Sequence, residues 1–428
     1  MRLLDLQQGS DTLVWHQGRA ISRTAFALAA QQLAMRLPQV SHVINLCSGR
    51  LSFMLGFAAA ALRGQMTLLP PNQTPAAMRK LQETYPRHHV LEDHCLEDLD
   101  LCDADTSINA QSIDIDADRI IATLFTSGST GLPQPQSKTW RSLARTGELD
   151  AARFAGTSPL NLVATVPAQH MFGLQTTVLL PLMSRCAIHD SKPFFPADIR
   201  AALLAIPASR ALIITPTHLR ACVASNLDLP ELQFILSATA PLSLELAQQA
   251  EHRWHAQVLE IYGSTEAGTM ATRRRTAGDA WQLMPDAQLQ PTDKGTLFHA
   301  PHRPEALLLS DHVELLPDRQ FRLLGRAGEQ LKIAGKRASL SELTHALLRI
   351  PGVTDGVIFM PDEVSRTAAL VVTELKPAQI LDALAESVDP VFLPRPLLIV
   401  PQLPRNAVGK LTQAALQAAL AGAGHAHE

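Results

Sequence analysis

A run of hydroxyls and glycines, Thr126-Ser127-Gly128-Ser129-Thr130-Gly131-Leu132-Pro133, follows the apolar stretch 120–126. Glycines let a backbone approach an anion closely, and the hydroxyls and amides between them supply hydrogen bonds. A strand feeding such a loop would make a phosphate cradle. It lacks the Lys-Ser/Thr pair of the G-x-x-x-x-G-K-[ST] loop, and read alone it also fits a surface turn. A second segment, Tyr262-Gly263-Ser264-Thr265-Glu266, ends another apolar run. Its ring could stack on a purine, its threonine could bond phosphate and its carboxylate could hold Mg²⁺; a turn with a helix-capping glutamate is the other reading.

Asp311 and Arg326 stand on either side of a β-patterned stretch. The aspartate could accept bonds from both ribose hydroxyls with the arginine behind it, or the two could form a surface ion pair. Lys332-Ile333-Ala334-Gly335-Lys336-Arg337 reads as a basic turn. Arg405-Asn406-Ala407-Val408-Gly409-Lys410 reads as a tight turn presenting a lysine just before the last helix. Either turn could equally be a solvated surface feature.

The elements that must position these residues are short Val/Ile/Leu-rich runs alternating with helical stretches. Strands are expected at 43–47, 120–126, 162–167, 211–216, 232–236 and 258–262, with helices such as 51–62 and 242–254 between them. That alternation argues for an α/β fold of layered, mainly parallel sheets and helices in a large N-terminal domain. Loops at the carboxyl ends of such strands are where ligands bind. From about residue 307 the texture becomes a polar-punctuated β pattern, and after Arg326 a small α+β domain is expected. Its helices fall near 341–350, 378–388 and 411–420, and its strands near 357–360, 369–372 and 396–400. The expected division is 1–325 for nucleotide and acid binding and 326–428 for a mobile domain carrying Lys410, hinged at 325–328.

Bulk properties narrow the function classes. The chain has 428 residues, 46% of them hydrophobic and 18% charged, with a net charge of −3. That balance supplies no general attraction to nucleic acid or to an anionic membrane. Its 5 cysteines are scattered without a C-x-x-C pair, which suggests neither a disulfide framework nor a zinc site and fits a reducing cytoplasm. The opening MRLLDLQQGSDT has no signal-peptide core. The apolar stretch 51–62, at about 1.5 Å per residue, falls short of the ~30 Å needed to span a bilayer.

Together and in this order, the segments resemble the adenylate-forming superfamily of acyl-CoA synthetases, aryl-acid ligases and peptide-synthetase adenylation domains. The resemblance runs from about residue 21 to 415. It takes in Ser237-Ala238-Thr239-Ala240-Pro241-Leu242, which looks like the family's Gly-Gly-Ala-Pro adenine wall, and Gln169-His170-Met171-Phe172-Gly173, which looks like its His-x-x-Gly gate. It implies that Thr126, Ser127, Gly128, Ser129, Thr130 and Gly131 hold the β- and γ-phosphates of ATP. Ala240, Tyr262 and Gly263 would border adenine, Thr265 would meet the α-phosphate, and Glu266 would bind Mg²⁺. Asp311 and Arg326 would bind ribose, and Lys410 would bridge the reacting carboxylate and the α-phosphate. Lys332 and Gly335 would line the thiol's approach, and His170 would gate the acid pocket.

The sequence also departs from that pattern. Gln134 stands where the family's phosphate loop has lysine, so Lys138 is expected to reach back to the phosphates from the start of a helix near 139. Gly328 replaces the hinge acid. The short chain and Ser137-Lys138-Thr139-Trp140 resemble ligases of the bacterial aryl-polyene and xanthomonadin pathways. Phe172 is followed by Gly173-Leu174-Gln175, without the aspartate that pairs an amino acid's ammonium. The implied reaction is therefore activation of a hydroxylated aryl acid, such as a hydroxybenzoate, and transfer to an acyl carrier protein's phosphopantetheine. An aryl or medium-chain CoA ligase is the alternative, and Gln134 and Gly328 leave open a nucleotide-binding partner protein without ligase activity.

Overall fold

The computed structural model describes the chain except for residues 5–10, 71, 98, 100, 102–112, 128–132, 157, 327–329, 334–335, 362–365, 406–408, 410 and 425–428. The fold is mixed α/β, and its backbone separates into two compact units. One comprises Met1–Ala287 with Ala300–Glu305, the other Gln288–His299 with Ala306–Glu428. The expected boundary after residue 325 falls within the span of the second unit, and residues 327 and 328 of the expected hinge lie outside the described residues.

Among the described residues the first unit contains, besides a two-stranded pairing of Arg2–Leu4 with Ile113–Asp114, two main sheets. In the smaller, the strands run in the order His88–Leu91, His42–Asn45, Met66–Leu69, Ile120–Ser127 and Pro133–Thr139. All are parallel except the last, which folds back antiparallel on Ile120–Ser127. The helix Arg50–Leu62 crosses over between two of these strands. Its residues are apolar on every side, and Phe53, Met54, Phe57 and Ala58 are buried; each of the larger side chains contributes about 2 kcal/mol by leaving water. Arg50 begins this helix inside the protein. Burial lowers its pKa to about 10, with Asp190 opposing the fall, and its guanidinium donates to the carbonyls of Ala164 and Val166.

In the larger sheet, this unit's strands run Trp281–Leu283, Gly268–Arg274, Gln257–Ser264, Phe234–Ser237, Arg210–Ile214, Leu160–Ala164, Cys186–His189, Thr12–His16 and Arg19–Ser22. From Gln257–Ser264 to Thr12–His16 neighbours are parallel, and both flanks are antiparallel. Val163, Leu212, Ile214, Ile235 and Val258 form the core on one face with Leu246, Ala247 and Ala250 of the helix Leu244–Trp254. Such apolar runs, buried on both faces, are what parallel strands require.

The second unit is built from hairpins and a small α+β layer. Asp311–Leu316 pairs with Gln320–Arg326, and Gln330–Ile333 with Lys336–Ser339. Val353–Phe359 lies antiparallel to Ala368–Thr373, which takes Leu397–Ile399 as a parallel neighbour. Leu343 and Leu347 of the helix Leu340–Leu348 pack with Ile358, Ala369 and Val371 and with Ile380 and Leu384 of the helix Pro377–Ala385. The last helix is Gln413–Gly424. Among the described residues no helix is long and apolar enough to cross a membrane.

The helix expected near 139 is Trp140–Asp150, capped by the Thr139 side chain accepting from Ser142 N. The residues before it, Pro133–Thr139, form a strand that the sequence did not announce. Lys138 therefore sits on a strand opposite Ala122 and is not a solvated residue of a helix start.

Candidate active site

The candidate residues of the first unit gather at the ends of parallel strands. Ala240 follows Phe234–Ser237, and Tyr262 to Glu266 end or follow Gln257–Ser264, its parallel neighbour. The carboxyl ends of adjacent strands thus bring the two segments side by side. Thr126, at the end of Ile120–Ser127, is half-buried and opposite the exposed Gln134. Gly128, Ser129, Thr130 and Gly131 lie outside the described residues, and of Ser127 only the backbone is described.

Lys138 joins these two regions. Its side chain is buried, 7% exposed, and Nζ donates a 2.6 Å hydrogen bond to the backbone carbonyl of Glu266. Burial pushes its pKa down from 10.5 to about 8; nearby Arg303 adds to the fall and Glu266 opposes it. Within the Glu266 turn, Ser264 Oγ accepts from Ala267 N at 3.2 Å. Gly263 is required here, because a Cβ would lie 2.4 Å from the Gly268 carbonyl. The Thr265 and Glu266 side chains are half-buried. Glu266 offers a single half-buried carboxylate, the kind of oxygen donor that would suit Mg²⁺ together with phosphate oxygens and water.

The Tyr262 ring has its own support. Its centroid is 5.6 Å from that of Trp281, and the Arg273 guanidinium lies 4.2 Å from the Trp281 ring centroid. Arg273 Nε in turn donates to buried Glu260 at 2.6 Å. Burial raises the Glu260 pKa while Arg273 opposes the rise. Across the neighbouring strand end, Thr239 adopts φ 82°, a left-handed conformation that a β-branched residue rarely takes. It occupies a position where the resembled motif has glycine.

His170 is the N-cap of the helix Met171–Leu174 and half-buried. Gly173 lets this helix close on the preceding loop, since a Cβ there would lie 1.8 Å from the Pro167 carbonyl. The helix continues as a π-helical stretch, Gln175–Leu179, and such stretches are frequent at functional sites.

In the second unit, Asp311 and Arg326 are directly paired residues of one hairpin, with only the backbone of Arg326 described. Lys332 pairs with Arg337 in the next hairpin, again described by its backbone alone, and Gly335 lies outside the described residues. So does Lys410. Its flanks are described: Arg405 makes a two-oxygen contact with Asp355 at 2.9 and 3.0 Å and donates to the Gly409 carbonyl at 3.0 Å. Arg405 was legible in the sequence only as the start of the turn. Its partner stands 50 residues away, so nothing local announced it. Also missed were Glu260, Arg273 and Trp281 behind Tyr262.

Residues 20–296 match the family model described as AMP-binding enzyme. A 4-coumarate–CoA ligase of Halorhodospira halophila is 28% identical over 68% of this chain and 74% of its own. A 4-coumarate–CoA ligase of Rhodobacter capsulatus is 30% identical over 54% of this chain and 58% of its own. Among solved structures, ATP-bound MatB from Rhodopseudomonas palustris matches with a TM-score of 0.82 and 17% identity, over 97% of each chain. The anthranilate CoA ligase AuaEII in complex with anthranoyl-AMP matches at 0.81 and 15% identity, over 98% of this chain and 96% of the other. At these identities the structural likeness speaks for the fold. The family match covers more than half of the sequence, and the chain belongs to the AMP-binding enzyme family.

Proposed function

We propose that this enzyme activates a hydroxylated aryl acid, such as a hydroxybenzoate, with ATP to give the acyl-adenylate, and then passes the acyl group to the phosphopantetheine thiol of an acyl carrier protein. The observation that carries the first step is the Lys138–Glu266 bond, which fastens the strand leaving the hydroxyl-rich loop to the turn bearing Thr265 and Glu266. In that step the carboxylate attacks the α-phosphorus and pyrophosphate leaves. Such a reaction calls for alignment and neutralisation of charge more than for covalent chemistry.

In this reading residues 126–131 bind the leaving pyrophosphate, Ala240 and Tyr262 enclose adenine, and Thr265 orients the α-phosphate. Glu266 holds Mg²⁺, which when bound neutralises phosphate charge. Asp311 and Arg326 bind ribose, and Lys410 bridges the two reacting groups. His170 gates the acid pocket. For the second step residues 326–428 rotate about 325–328, withdrawing Lys410 and bringing Lys332 and Gly335 toward the incoming thiol. The free thiols of Cys47, Cys186 and Cys222 support a reducing compartment, the cytoplasm.

CoA as the acceptor is the second reading, favoured by the likeness to 4-coumarate–CoA ligases. Parallel incubations with ATP and 4-hydroxybenzoate, one with CoA and one with holo acyl carrier protein, separate the two by mass spectrometry. Acyl-loaded carrier is the expected product. Rapid CoA thioester formation with no loaded carrier would assign the enzyme to the second reading.

A further inference from the structure

A buried ion pair lies behind the Tyr262 ring, and its members come from facing positions of adjacent strands. Glu260 and Arg273 are directly paired across Gln257–Ser264 and Gly268–Arg274. Arg273 Nε donates to the Glu260 carboxylate at 2.6 Å, and the two side chains are 13% and 5% exposed. Tyr262 stands two residues beyond Glu260 on the same strand, so both side chains belong to one face. Trp281 opens the next strand of the sheet and is buried.

These side chains form one stack. The Arg273 guanidinium lies 4.2 Å from the Trp281 ring centroid, and the Trp281 and Tyr262 centroids are 5.6 Å apart with their planes at 52°. A cation over an indole face is attracted by the ring's quadrupole, more strongly when both are out of water. Tilted ring pairs at this spacing favour one mutual orientation. The ion pair is weak ground for stability, since replacing such a buried pair by apolar residues is often neutral or stabilising. What the pair holds in place is the better account of it.

Glu260 also reaches the opposite wall. The Leu242 backbone hydrogen-bonds its carboxylate, and Leu242 stands two residues beyond Ala240, in the segment that follows the parallel neighbour Phe234–Ser237. One carboxylate thus ties together the two segments that border adenine in the reading above. On the other side of Tyr262 the regular ladder ends, because the register shifts between Tyr262 and Gly263. Such irregularities bend a strand and re-aim its side chains. The ladder fixes Tyr262 from one side only, and the stack supplies the rest.

Resting on the ligase reading above, we infer that Glu260, Arg273 and Trp281 are positioning residues for the nucleotide: they set the Tyr262 ring and draw the Ala240 segment to it, giving adenine a preformed slot. They act through Tyr262 and Ala240 rather than on the nucleotide itself. Ordering the slot in advance removes that cost from the binding step. The gain belongs to nucleotide affinity and not to turnover.

The test is binding of AMP to the full-length enzyme by titration calorimetry, with KM for ATP and kcat from pyrophosphate exchange. Trp281→Leu should raise the Kd for AMP and the KM for ATP about three- to tenfold while kcat changes less than about twofold. Trp281→Phe should recover most of that affinity. Arg273→Lys keeps the charge opposite Glu260 but loses the flat face over the indole, and should act in the same direction as Trp281→Leu. So should Glu260→Gln, which leaves an acceptor for Leu242 but no charge for Arg273. In a Tyr262→Leu background Trp281→Leu should add nothing further, because its effect runs through that ring. A full additional loss there would overturn the inference, as would unchanged Kd and KM in folded Trp281→Leu. Arg273→Lys, judged by the same constants, decides the matter if Trp281→Leu does not fold. AMP binding indifferent to these variants sinks this inference alone; a wild-type enzyme that binds neither AMP nor ATP sinks the ligase reading as well.

Discussion

The ammonium of Lys138 is bonded to the backbone carbonyl of Glu266 at 2.6 Å. A residue of the strand behind the hydroxyl-rich loop thereby fixes the turn that carries the candidate magnesium carboxylate. From sequence, Lys138 was expected to reach back toward the phosphates. We propose that, through its bond to the Glu266 carbonyl, the same charge holds Thr265 and Glu266 in line.

Lys138→Met should accordingly lower kcat for adenylation about tenfold, or ~1.4 kcal/mol, with little change in KM for ATP. The reverse pattern, a raised KM with kcat intact, would make Lys138 a phosphate ligand. Stability should not fall. Because its pKa is depressed to about 8, the folded chain has released a proton that the unfolded chain still holds between pH 8 and about 10.5. The group's contribution to stability therefore rises with pH across that window. Below it the buried charge costs up to about 3 kcal/mol, which the bond to Glu266 partly offsets. In wild type, adenylation should decline above about pH 8 as the ammonium deprotonates, and that alkaline limb should be missing in Lys138→Met.

Lys410→Ala should reduce adenylation by about 10²–10³-fold while sparing thioester formation from supplied acyl-adenylate. Arg405→Met, which releases the turn from Asp355 and Gly409, should show the same selective loss to a lesser degree. Stopped assays of each half-reaction distinguish this from equal damage to both, which would mark the turn as structural.

Much of this fold is legible in the sequence because its sheets are mainly parallel. Strands such as Arg210–Ile214 and Phe234–Ser237 are buried on both faces and read as near-continuous apolar runs, Ala-Leu-Ile-Ile and Phe-Ile-Leu. The strand Pro133–Thr139 is not legible: PQPQSKT has neither an apolar run nor alternation, and it is held by antiparallel pairing with Ile120–Ser127. The candidate site divides the same way. Glu266 and Lys410 sit in short motifs whose chemistry is local. Arg273 acts through a partner 13 residues distant, Glu260, and no local pattern encodes that meeting.

Thr239 supplies a further prediction. Its φ of 82° stores strain of order 1–3 kcal/mol in a β-branched residue. Thr239→Gly should raise the urea midpoint of unfolding, by the equivalent of about 1 kcal/mol after glycine's own entropic cost. If strain there shapes the adenine wall, KM for ATP should change at the same time. A destabilised variant would show that the Thr239 side chain contributes packing that outweighs the strain.

The most direct measurement is exchange of labelled pyrophosphate into ATP by the purified full-length enzyme with Mg²⁺ and a panel of aromatic, aliphatic and amino acids. Label should enter ATP only when an acid is present, fastest with a hydroxylated aryl acid. Absence of acid-dependent exchange across the whole panel, in an enzyme that still binds ATP, would contradict adenylate formation and with it the account given for Glu266, Lys138 and Lys410.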